Sequence, residues 1–130
     1  MNNIWRYLQT QDEKCVVVIC EDGDQAENII LEVRDKLKRH SIQNDHRLIG
    51  FTRNSLVFGT NKLMCVQSGM MGCGLKGYTI HLLLLHENLD EFERNLALEI
   101  AYPVVASVGG SVAKYSQSTR TMRYQDDRNH

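Results

Sequence analysis

The sequence predicts an α/β fold: a single-domain open sheet with mainly parallel central strands and flanking helices. Three observations carry this. The run Ile80-His81-Leu82-Leu83-Leu84-Leu85 ends abruptly in His86-Glu87-Asn88. It is too short to span a membrane and too apolar for an edge strand, so it reads as a parallel strand covered on both faces. Cys15 to Cys20 (CVVVIC) is a second β-branched run without alternation, hence also central. Between them Ala26, Ile29, Ile30, Val33 and Leu37 form one apolar stripe at helical spacing.

The elements follow in chain order. Ile4, Trp5, Tyr7 and Leu8 give residues 1–12 the pattern of a short amphipathic helix or an arm. Residues 13–120 read as one α/β domain, and 121–130 as a mobile polar tail. After the first central strand, Glu21-Asp22-Gly23 breaks the run, and Asp24 with Glu27 three positions on predicts a capped helix start. Lys36, Lys38, Arg39 and His40 close that helix and complement the carboxyl end of its dipole.

Arg47 to Phe51, Ser55 to Phe58 and Lys62 to Gln67 are short strand-like runs separated by Asn54 and by Gly59-Thr60-Asn61, the pattern of a hairpin or meander. A glycine-rich link, Gly69, Gly72, Gly74 and Gly77, leads into the leucine strand. Glu91 to Ala106 predicts a second long helix with Phe92, Leu96, Ile100 and Val104 as its core face, bent or divided at Pro103. Gly109-Gly110 turns the chain into a last strand, Ser111 to Ser116.

Composition narrows the function classes. In 130 residues, 42% are hydrophobic and 24% charged, which is one globular domain with a substantial core. A net charge of −1 supplies no global field that would draw the chain onto nucleic acid or membrane. Cys15, Cys20, Cys65 and Cys73 show no CxxC pairing and read as free thiols in a reducing compartment. With neither a leader pattern nor a run of about twenty apolar residues, a cytoplasmic location without membrane contact is expected.

Some motifs fail their structural context. Gly72-Cys73-Gly74-Leu75-Lys76-Gly77 fits GxGxxG, yet a dinucleotide site needs a helix next, and a strand follows here. Cys73, His81 and His86 lack ligand geometry, because positions 81 and 86 of a strand point to opposite faces; no metal is expected. Asp90, Glu91 and Glu93 sit where a helix dipole favours acids. Glu87 is different: it directly follows the apolar strand, at the sheet's carboxyl end where open α/β sheets bind ligands.

The order of parts points further. Val16-Val17-Val18-Ile19 precedes Asp24-Gln25-Ala26; Arg53-Asn54-Ser55-Leu56-Val57-Phe58 makes a hairpin; Lys76-Gly77-Tyr78 leads into Leu82 to Glu87. Pro103, Gly109-Gly110 and Ser118-Thr119-Arg120 come last. This succession, over residues 15 to 120, resembles the ATPase domain of viral and phage DNA-packaging terminase large subunits, and more distantly the first core domain of helicases. The resemblance implies a P-loop-ATPase-like fragment with a hairpin.

It also implies roles. In such motors the leucine strand ends in a magnesium-coordinating Asp and a water-positioning acid, matched here by His86 and Glu87. Ser118-Thr119-Arg120 is similar to the coupling motif that senses the γ-phosphate. The departures are as informative. No GxxxxGK(S/T) phosphate loop occurs in these residues, and imidazole is a poor ligand for a hard cation.

The expectation is therefore a truncated, catalytically silent domain with no cofactor, in which His86, Glu87, Ser118, Thr119 and Arg120 are vestiges. Its partner would be another protein, a motor or nucleic-acid-processing complex, with homodimerisation through a strand edge or the Trp5 arm. One alternative is a nucleic-acid binder using Arg34, Lys36, Lys38, Arg39, Arg47 and Arg53 on DNA phosphates. Another is a nucleotide hydrolase completed in trans, with Glu87 as base and Arg120 stabilising charge.

Overall fold

The computed structural model describes residues 3–40, 47–70, 79–117 and 121–124. Among them, helices α1 (Ile4–Thr10), α2 (Gly23–His40) and α3 (Glu91–Ala106) flank one seven-stranded sheet. Its strands are β1 (Cys15–Cys20), β2 (Leu48–Phe51), β3 (Ser55–Phe58), β4 (Asn61–Gln67), β5 (Leu82–His86), β6 (Ser111–Ser116) and β7 (Thr121–Tyr124). The spatial order is β2-β3-β4-β1-β5-β6-β7. The inner strands β4, β1, β5 and β6 are parallel, while β2, β3 and β7 join antiparallel at the margins.

Both apolar runs lie in the middle of this sheet because each is buried on two sides. Val16, Val18, Leu82 and Leu84 face a core built with α1 and α2, whereas Val17, Ile19, Leu83 and Leu85 face a second core under α3. Seven strands with helices on both faces make the expected single-sheet α/β fold.

The details revise several local expectations. Helix α2 begins at Gly23, so Asp22 rather than Asp24 caps it, its carboxylate accepting the Gln25 N–H at 2.9 Å. Glu21 N–H donates to Gln25 Oε1 at 2.8 Å, which uses Gln25, not Glu27, as the reciprocal side chain. Helix α3 is continuous through Pro103. Proline sits in its last turn, where one missing N–H removes one bond and does not divide the helix.

The expected face of α3 is met in part: Leu96 and Val104 pack partly buried against the second core. Ala97, Ala101 and Val105 are the buried residues; Phe92 and Ile100 are 73% and 38% exposed. Small alanines let the helix axis come close to a sheet already filled by leucine and valine.

The expected polar tail from 121 is not one in its first four residues. Thr121–Tyr124 pairs antiparallel with β6, and Met122 is buried against the same core as Tyr115. At the other end, α1 docks Ile4 and Leu8 into that core, capped by Asn3, whose side chain accepts the Arg6 N–H.

Candidate functional site

Parallel strands β1, β5 and β6 bring their carboxyl ends to one edge of the sheet, where His86 and Glu87 stand beside Ser116 and Gln117. Register sets this up: His86 is level with Tyr115, and the Glu87 N–H donates to the Tyr115 carbonyl at 2.9 Å. Glu87 is half-buried. One carboxylate oxygen accepts the Ser116 hydroxyl at 3.1 Å, and the other accepts the Gln117 N–H at 2.9 Å.

His86 is buried, with 2% of its surface exposed. Its Nδ1 accepts the Asn88 N–H at 3.0 Å, which leaves Nε2 to carry the proton toward Gln117 Oε1 at 2.8 Å. This assigns the neutral Nε2–H tautomer. The ring lies 6.2 Å from that of Tyr115, tilted by 60°. Gln117 thus meets His86 through its side chain and Glu87 through its backbone, and the four residues bracket β5 to β6. A histidine with both nitrogens committed ligates or abstracts protons only by giving up one of these bonds.

Other sequence candidates separate. Ser118, Thr119, Arg120, Cys73 and the Gly72–Gly77 loop lie outside the described residues. His81 sits at the opposite end of β5 from His86, where its Nδ1 accepts the Cys15 N–H at 3.0 Å, so the two histidines do not converge. No three metal-ligating side chains are gathered among the described residues. Asp90 caps α3 in a full capping box with Glu93, the helix-start role expected of that acid cluster.

Neither Cys15 nor Cys65 is activated. Cys65 is pushed well above the ordinary thiol range by burial and by the adjacent Cys20. Burial also raises Cys15, partly opposed by the Lys62 ammonium.

Four of the six basic candidates are engaged by other groups of the chain. The Arg34 guanidinium lies 4.7 Å over the Phe51 ring and 3.2 Å from Asp35; Lys36 lies 5.4 Å over Trp5. Arg47 stacks at 4.7 Å on Phe58 and donates to the Gln9 carbonyl at 3.4 Å. Arg53 is 3.8 Å from Asp24 and 3.6 Å from Glu27. Lys38 and Arg39 are exposed near the end of α2. Beneath Arg53 a shallow notch of about 270 Å³ is lined by Glu27, Ile30, Leu31, Phe51 and Thr52.

Ser116 and Gln117 went unassigned in the sequence because their partners are about thirty residues away in the chain. The available signal was position: both stand at the end of a strand, level with Glu87.

No helix among the described residues is long and apolar enough to cross a membrane. No protein-family model matches the chain, and no curated protein matches it. Among solved structures it is similar to an arginine-to-alanine mutant of the Thermus phage P74-26 large terminase ATPase domain. The TM-score is 0.70 at 17% identity, over 86% of this chain and 51% of that one. The chain therefore spans about half the length of that structure. At this identity the likeness is one of fold: the α/β sheet and its helices are arranged as in that ATPase domain.

Proposed function

We propose that this chain is a catalytically silent relative of the terminase ATPase fold that acts by contact with another protein, as an accessory component of a viral nucleic-acid machine. The observation that carries the reading is the bracket at the carboxyl end of the sheet. Both Glu87 carboxylate oxygens are taken by Ser116 and Gln117, and both His86 nitrogens by Asn88 and Gln117. In a hydrolase these positions serve magnesium and water; here they hold two strands together. What such a domain retains is shape, and shape serves binding.

Calorimetric titration of the full chain with MgATP tests this, with Glu87→Ala as the control. No saturable heat at millimolar nucleotide is expected. Saturable binding that Glu87→Ala alters would overturn the silent reading in favour of a hydrolase completed by another chain.

A further inference from the structure

We draw no further inference here: the strongest candidate, the shallow apolar notch between α2 and the marginal strand β2 that Ile30, Leu31 and Phe51 line beneath Arg53, carries nothing because nothing in the structure shows what covers it.

Discussion

Asn61 donates its side-chain amide to the Leu8 carbonyl at 2.8 Å, tying the first residue of β4 to the middle of α1. The same amide donates to the Gln11 carbonyl at 2.7 Å, and its oxygen accepts the Lys14 N–H at 3.0 Å. Asn61 is 2% exposed, so no water replaces these bonds when they are lost. Asn61→Ala is expected to cost about 3 kcal/mol in urea unfolding, since an unsatisfied buried group costs about 1–3 kcal/mol. Asn61→Asp is expected to fare no better. It keeps the acceptor for Lys14 but turns a carboxylate toward two carbonyls.

Three glycines are expected to rank by the space around them. A Cβ on Gly110 would stand 2.7 Å from the His81 carbonyl oxygen and 2.9 Å from that of Ile80. Backbone atoms cannot step aside, so Gly110→Ala should cost about 3 kcal/mol, the upper part of the overpacking range. Gly109 has open space but a φ of +65°, and its alanine variant should lose roughly 1–2 kcal/mol. Gly50 has ordinary backbone and nothing within 4 Å, so Gly50→Ala should be neutral or stabilising by up to about 1 kcal/mol. Thermal melts of the three variants check the order.

Alkaline pH should weaken the fold through Cys65. Its thiol is raised in the folded chain by burial and by Cys20, so the unfolded chain loses its proton first. The stability this thiol contributes is complete below the unfolded value and is lost as pH rises through the folded one. Urea midpoints are expected to fall between about pH 8 and pH 10, and Cys65→Val should flatten that slope.

Gln117→Ala tests the bracket. It deletes the Nε2 partner of His86 while keeping the backbone N–H that Glu87 accepts. A buried ring N–H without an acceptor should cost about 1–2 kcal/mol, whereas Asn88→Ala, which removes only an exposed side chain, should cost almost nothing. Equal losses in the two variants would mean that the Gln117 side chain contributes nothing specific.

How far the sequence could be read depended on whether the deciding contacts were local. The β1 and β5 runs were legible because a strand buried on two faces must be apolar at every position. Helix α3 was legible as a helix but only in part in its orientation, since Leu96 and Val104 pack on the core while Phe92 and Ile100 do not. Periodicity counts apolar residues, and both the Ala97 and the Phe92 faces qualify; the close approach to the sheet chose the smaller one. Strand β7 places the buried Met122 in a polar stretch, so that burial exists only once β6 is beside it. His86 and Glu87 were placed at the strand end by the run before them, but their partners come from another strand.

The position of β1 sets a problem in time as well as in space. Among the described strands it is the first to be made, yet its neighbours are β4 and β5, with Lys62 and Leu82 as register partners. Local turns cannot complete the centre of this sheet, and such distant pairing slows folding. While the ribosome is still producing the intervening residues, Cys-Val-Val-Val-Ile-Cys has neither of these neighbours to lie against. That hexapeptide has high β-propensity, no charge and no proline, so the nascent chain is sticky until the leucine strand emerges.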